Sequence, residues 1–390
     1  MFLDYRNKKN EQDILDNTEK ARLKVINSGN SENKLIQGDN LSVLKTLLVD
    51  ENLAGKIGLV YIDPPFATNS HFKIDNGRAN TVSKTNGGDI AYSDTLIGED
   101  FLEFLRERLV FLRELMSNEA SIYLHIDYKI GHYIKVLMDE IFGIKNFRND
   151  ITRIKCNPKN FDRRAYGNIK DLILFYSKAD KPTWNDPRIP FDEEDINTLF
   201  KKIDKSGRRY TTIPLHAPGE TNGKTGQKWK GFKPPNGRHW RSEPAVLEKL
   251  DKQGLIEWSS AGVPRKKIYI DERDGKKMQD IWEFKDPQYP SYPTEKNLDL
   301  LKFIINASSN EGDLVLDCFC GSGSTLIAAQ ELNRKWIGID KSEHAIKVAK
   351  KKLADIPSSL FSKVNYEFLI QEEQKQRKDK IKLKELLPQI

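Results

Sequence analysis

Cysteine is scarce, long apolar runs are missing, and neither sign of charge dominates. The three cysteines in 390 residues, Cys156, Cys318 and Cys320, give neither an even disulfide set nor a metal-ligand spacing. That excludes a stapled secreted scaffold and leaves no candidate metal site. No window approaches the roughly 18 uninterrupted apolar residues of a membrane helix. The first thirty residues, "MFLDYRNKKNEQDILDNTEKARLKVINSGN", are charged and rich in Asn, unlike the apolar core of a signal peptide. A cytoplasmic protein with no membrane partner is expected. Lys+Arg of 64 against Asp+Glu of 57 gives +7, an excess that suits a polyanion partner or simply solubility.

A chain of this length can bury a sizeable core, as one large domain with an insert or as two to three domains. Residues 1–33 read as a helical or frayed arm. "KLIQGD" (34–39) is a short apolar run, and "NLSVLKTLLVD" carries Leu41, Leu44, Leu47 and Leu48 at helical spacing behind Asn40 as a cap. "KIGLVYID" is an apolar run of buried-strand type. Residues 67–98 hold many Ser, Thr, Asn and Gly with little periodicity and read as a long functional loop. An amphipathic helix (99–120), a strand (121–127), a second helix and a strand (171–180) follow.

Residues 181–285 change character, with 22 basic and 16 acidic residues and five of the six tryptophans (Trp184, Trp229, Trp240, Trp258, Trp282). Nearly all of the chain's basic excess sits there. Alternation then resumes with "NLDLLKFIINASS" as a helix, "DLVLDCF" as a strand, "TLIAAQELN" as a helix, "KWIGID" as a strand and "SEHAIKVAKKKLADI" as a helix. Strands alternating with helices predict an α/β fold with a doubly wound, mostly parallel sheet and one insert. The expected division is an arm (1–33), a catalytic domain (34–180 and 286–355), an insert (181–285) and a charged C-terminal helical tail (356–390).

Two stretches carry chemistry. In "LVLDCFCGSGST" (314–325), Gly321 and Gly323 let the backbone pass close to a ligand at a helix N-terminus. Asp340, closing "KWIGID", stands where a nucleotide-type site needs a carboxylate for ribose hydroxyls. The third glycine of the dinucleotide fingerprint is absent, because Leu326 follows "GSGST", which weakens a nicotinamide oxidoreductase reading. In "DPPF", Pro64 and Pro65 stiffen the backbone after Asp63 and leave carbonyls free of a helix. Asp63 and an adjacent carbonyl can then accept from one NH2 group while Phe66 stacks, an arrangement that fits a nucleobase. A strand-ending turn with an exposed Asp and a core Phe explains the same four residues.

Taken together, "DPPF" and "DCFCGSGST" resemble the β-type amino-group DNA methyltransferases that use S-adenosylmethionine, of the type II and type III modification-enzyme kind. "GDNLSVLKTL", "FLEFLRERLVFLRELMSNEASIYLHID" and "YPTEKNLDLLKFIINASSNEGDLVLDCFCGSGSTLIAAQELNRKWIGID" match in the same order. The resemblance covers residues 34–180 and 290–350 and implies a permuted Rossmann-like fold. It implies that Asp317, Phe319, Gly321, Gly323 and Ser324 line the cofactor's methionine side, with Thr294 and Lys296 near its carboxylate. Asp340 would take the ribose hydroxyls, and Asp39 would lie near the adenine ring. Asp63, Pro64, Pro65 and Phe66 would hold a target adenine flipped out of double-stranded DNA.

Two departures stand out, Phe66 where adenine-specific members usually have Tyr and Cys318 where Pro is more frequent. The insert would recognise the target, with Lys228, Lys230, Lys233, Arg238 and Arg241 as candidate DNA contacts. A second copy of the chain and a restriction subunit are the other candidate partners. The alternatives are a cytosine-N4 enzyme and a non-catalytic DNA-binding relative.

Overall fold

The computed structural model describes residues 2–29, 31–65, 98–158, 162, 164–260, 262–288, 290, 295–356 and 364–372, with the backbone alone of 71–75, 78–81 and 89–93. These residues divide into two compact units, Pro187–Met278 and the rest.

The larger unit is built on a ten-stranded sheet. Its strands are β1 (Leu23–Asn27), β2 (Lys34–Gln37), β3 (Ile57–Ile62), β4 (Met116–Ile126), β5 (Phe147–Ile154), β6 (Lys170–Ser177), β7 (Ile281–Trp282), β8 (Leu314–Asp317), β9 (Lys335–Asp340) and β10 (Glu367–Gln371). They lie in the order β1, β10, β2, β9, β8, β3, β4, β6, β5, β7. From β10 to β4 all neighbours are parallel, while β1 and β6 run antiparallel to theirs. This is the expected mostly parallel α/β sheet. Its central strands read as continuous apolar runs because both faces are covered: Leu59, Val60, Ile62, Val315, Leu316, Ile337 and Ile339 are all buried.

The helices of this unit are α1 (Glu11–Asn17), α2 (Asn40–Val49), α3 (Glu99–Leu115), α4 (Gly131–Phe142), α5 (Leu298–Ser308), α6 (Ser324–Glu331) and α7 (Glu343–Asp355). The apolar stripes of α2, α3 and α4, among them Val43, Leu47, Leu105, Leu109 and Leu137, join Ile36, Val60 and Ile122 of the sheet in one core. None of the described helices is long and apolar enough to cross a membrane.

Several elements differ from expectation. The arm contributes β1, and the tail contributes β10, which wedges between β1 and β2. A short apolar run, "EFLIQ", outweighs its charged surroundings because it pairs on both sides, with β1 and with β2. Residues 357–363 and 373–390 of the expected tail lie outside the described residues. Within 67–98, His71–Asp75, Arg78–Thr81 and Asp89–Ser93 form a three-stranded antiparallel sheet rather than a featureless loop. Asp39, not Asn40, caps α2, since its Oδ1 accepts from Leu41 N and Ser42 N.

The unit boundaries fall inside 181–285 because both ends of that segment are anchored in the larger unit. Thr183 N donates to Glu119 O and Asn185 N to Ala307 O, each at 2.9 Å, and β7 pairs with Thr152 and Arg153 of β5. The smaller unit holds a four-stranded antiparallel sheet and a hairpin of His216–Pro218 with Arg238–Trp240. Its core packs Leu215, Trp229, Trp240, Leu247 and Ile256, so two of the insert's tryptophans are structural.

Candidate active site

Four adjacent parallel strands, β2, β9, β8 and β3, each deliver an aspartate at their carboxyl ends: Asp39, Asp340, Asp317 and Asp63. Sheet register sets them side by side, with Gln37 opposite Asp340, Asp317 opposite Gly338, and Leu316 opposite Val60. Residues some 250 positions apart therefore share one sheet edge, where ligands bind in folds of this kind.

The turn after β8 is shaped by its glycines. Gly321 and Gly323 have φ of 49° and 80°, and a Cβ added at Gly323 would stand 2.9 Å from the Ala349 Cβ of α7. Asp317 is buried beneath the turn, where its Oδ1 accepts from Phe319 N at 2.9 Å and its Oδ2 from Thr325 Oγ1 at 2.6 Å. Burial, with the charges of Asp63 and Asp340 adding to it, pushes the Asp317 carboxyl up to about 7. Burial also raises Asp340, against hydrogen bonds that favour its charged form, including those from Gly321 N at 2.9 Å and Ser342 N at 2.8 Å. Cys318 and Cys320 are buried, which pushes both thiols up and leaves them as small apolar fillers.

Asp39 stays 42% exposed. It is held by its backbone, whose N–H donates to Gln371 Oε1 at 2.7 Å. Arg108 of α3 braces the same corner: it donates to Asn40 Oδ1 at 2.6 Å, lies 3.7 Å from Asp39 Oδ2 and stacks 3.5 Å from the Phe104 ring centroid. Asn40 Nδ2 in turn donates to Cys318 O at 2.7 Å, and the Phe104 and Phe319 rings lie 6.0 Å apart.

On β3, Asp63 Oδ2 pairs with Lys296 Nζ at 2.7 Å, the two side chains being 17% and 11% exposed. Asp63 Oδ1 is buried and has no hydrogen-bond partner among the described residues. Pro64 is buried and Pro65 half-buried behind it. Deeper in the sheet, Tyr61 Oη meets His125 Nδ1 at 3.0 Å, and His125 Nε2 lies 3.3 Å from Asp171 Oδ2. Burial and the Lys296 charge lower the His125 pKa.

Of the anticipated residues, Asp39, Asp63, Pro64, Pro65, Asp317, Phe319, Gly321, Gly323 and Asp340 thus converge, with Ser324 opening α6 behind Gly323. Phe66 and Thr294 lie outside the described residues. Lys296 contacts Asp63, and its neighbour Glu295 binds Lys352, which also donates to Ser322 Oγ at 3.1 Å. Arg108, Lys352 and Gln371 were not anticipated; an arginine inside the apolar stripe of α3 is the one local signal among them.

Lys228, Lys230, Lys233, Arg238 and Arg241 are all exposed on the smaller unit. Lys230 is neutralised by Asp251, and Arg238 Nη1 lies 3.2 Å from His216 Nδ1.

The residues fit S-adenosylmethionine in kind. The positive-φ turn admits a ligand against backbone that a Cβ would crowd, and the carboxylates beyond it suit hydroxyl and amine donors.

The family model described as DNA methylase, N6_N4_Mtase, matches residues 57–351. Type II methyltransferase M.EcaI of Enterobacter cloacae is 41% identical over 364 residues, covering 90% of this chain and 77% of that protein. The StyLTI Mod subunit, a type III restriction-modification enzyme subunit of Salmonella typhimurium strain LT2, is 26% identical over 78% of this chain and 51% of its own length. Among solved structures, the M1.HpyAVI–SAM complex aligns over 82% of this chain and all of that one, at 19% identity and a TM-score of 0.42. With its site residues arrayed on one sheet edge, and with most of its length matched by the family model and by a relative at 41% identity, the chain belongs to the N6/N4 DNA methylase family.

Proposed function

We propose that this DNA methyltransferase transfers a methyl group from S-adenosylmethionine to the N6 amine of adenine in a specific duplex sequence, after the base is flipped out. The observation that carries the reading is Asp63 Oδ1, a buried acceptor without a partner among the described residues, beside the glycine turn. A buried acceptor left unpaired is costly, and a base amine would satisfy it.

Asp39, Asp317, Phe319, Gly321, Gly323 and Asp340 would hold S-adenosylmethionine, which supplies an electrophilic sulfonium methyl when bound. Asp63 Oδ1 and the Pro64 carbonyl would accept from the two amine hydrogens, so that the nitrogen lone pair points at the methyl. Oriented by these two acceptors, the amine nitrogen would be placed to take up that methyl, the electrons of the S–C bond passing to sulfur. The nitrogen then sheds one proton, for which Asp63 is the nearby base. Positioning and electrostatics supply the rate.

The exposed basic residues of Pro187–Met278 support target recognition by that unit, and Lys228, Lys233, Arg238 and Arg241 are the candidate contacts with no carboxylate partner among the described residues. Lys230, paired with Asp251, is the weakest of the set. The chain spans about half the length of the type III Mod subunits it resembles, and their names support a restriction subunit as partner. A homodimer and a reducing cytoplasmic location complete the proposal.

The test is incubation of unmethylated genomic DNA with the protein and S-adenosylmethionine, then mass spectrometry of the nucleosides. N6-methyladenine is expected. N4-methylcytosine overturns the choice of base, and no methylated base overturns the enzymatic reading. Single-molecule sequencing of the product then gives the recognised motif.

A further inference from the structure

Glu295, Lys296 and Asn297 form a short bridge between the two halves of the site. Glu295 is tied to Lys352 of α7, which also reaches Ser322 in the glycine turn. Asn297 caps α5 through Oδ1 and donates through Nδ2 to Lys285 O at 2.9 Å. Between these anchors, Lys296 reaches across to β3 and takes one oxygen of Asp63, leaving the other buried and open.

We propose that Lys296 is a positioning residue for methyl transfer, its ammonium holding Oδ2 of Asp63 so that Oδ1 alone is presented to the target amine. The proposal rests on the methyltransferase reading above. A carboxylate has two equivalent oxygens on a torsion that is broad and roughly two-fold. Left free, it can hold an amine in more than one register, and only some of these aim the nitrogen lone pair along the line of attack. A charge-assisted bond to one oxygen removes that freedom. The bridge is anchored on both sides of Lys296, so its ammonium is delivered from a fixed backbone.

Charge gives a second reason for a cation here. Asp63, Asp317 and Asp340 end neighbouring strands, and crowding of like charge is one of the forces that raise Asp317. Lys296 compensates the carboxylate that faces the substrate. Its contact with Asp63 also links that carboxylate to the glycine turn through Glu295, Lys352 and Ser322, so one bridge sets the geometry of both.

The experiment uses the full chain, unmethylated genomic DNA and tritiated S-adenosylmethionine, and compares the unaltered protein with Lys296→Met and Lys296→Arg. Single-turnover rates at saturating cofactor are read beside cofactor Kd from calorimetry and KM for DNA. Lys296→Met is expected to lower the single-turnover rate about 10²-fold, the scale for loss of one preorganised charged contact, with cofactor Kd and KM for DNA nearly unchanged. Lys296→Arg, which can still hold Oδ2, should recover a substantial part of the rate. A tenfold weaker cofactor Kd with an unchanged rate at saturation would assign Lys296 to the cofactor and overturn the proposal. Equal loss in both variants with lowered thermal stability would overturn it in favour of a structural role. Absence of methyl transfer by the unaltered protein overturns the functional reading, and this inference with it.

Discussion

Gly323→Ala separates two costs that glycine avoids after β8. Gly323 has φ of 80° and ψ of 18°, a left-handed conformation that costs a residue with a Cβ about 1–2 kcal/mol. Its added Cβ would also stand 2.9 Å from Ala349 Cβ, and overpacking of that kind costs about 1–3 kcal/mol. Gly312 supplies the control. It has nearly the same φ, 82°, at the opposite end of β8, and a Cβ there meets nothing within 4 Å. Both substitutions regain about 0.4–1 kcal/mol from a less flexible unfolded chain. Gly312→Ala should therefore cost about 1 kcal/mol or less, and Gly323→Ala about 2–4 kcal/mol. At about 2 °C per kcal/mol in a unit this large, calorimetry should show Tm losses of about 2 °C or less for Gly312→Ala and about 4–8 °C for Gly323→Ala. Titration with S-adenosylmethionine should find Kd unchanged in Gly312→Ala and about tenfold weaker in Gly323→Ala, equivalent to about 1.4 kcal/mol. Equal Tm losses would refute the contact argument, and equal cofactor affinities would remove the turn from the cofactor site.

Three further substitutions test other parts of the edge. Asp63→Ala should abolish methyl incorporation, a loss of at least about 10³-fold, while calorimetric binding of S-adenosylmethionine stays near the unaltered value; retained methylation would sink the role of Asp63. Asp317, held up to about 7, keeps a proton in the folded state that the unfolded chain releases near pH 4. Its stabilising contribution is full below that unfolded value and is lost as pH rises through 7. Asp317→Asn should therefore flatten the fall of Tm between about pH 4 and 7, and an unaltered slope would show that burial does not act as argued. Arg108→Met should cost about 1–3 kcal/mol in urea denaturation by stranding Asn40 Oδ1 and should weaken cofactor binding; an unchanged midpoint would mean that Asn40 finds another donor.

The central fold was legible because its signals are local. "KIGLVYID", "LVLDCF" and "KWIGID" are continuous apolar runs, each ending in or running into an aspartate, and a parallel sheet buried on both faces needs such strands. Strands one place in from the sheet's edges were harder to see. β10 is five residues long within a charged stretch, β5 mixes Arg, Asn and Asp with buried Ile151 and Arg153, and both owe their state to the neighbour they pair with. The cap of α2 was displaced by one position because Asp39 and Asn40 are both good caps, and only the backbone conformation after β2 chooses between them.

The site divides along the same line between local and distant causes. Aspartates at strand ends, prolines that stiffen a turn and glycines that open one are properties of a few consecutive residues, and each was named from its motif. The contacts that give those residues a direction are not. Lys296 comes to Asp63 from the other end of the chain, Gln371 reaches the backbone of Asp39 from β10, and Arg108 arrives from the face of α3. A carboxylate without them is only a charge at a sheet edge; with one oxygen held and the other left open, it becomes an acceptor with a single orientation. The chemistry of this edge can thus be read from short motifs, but the aim of its groups depends on residues that only the folded sheet brings within reach.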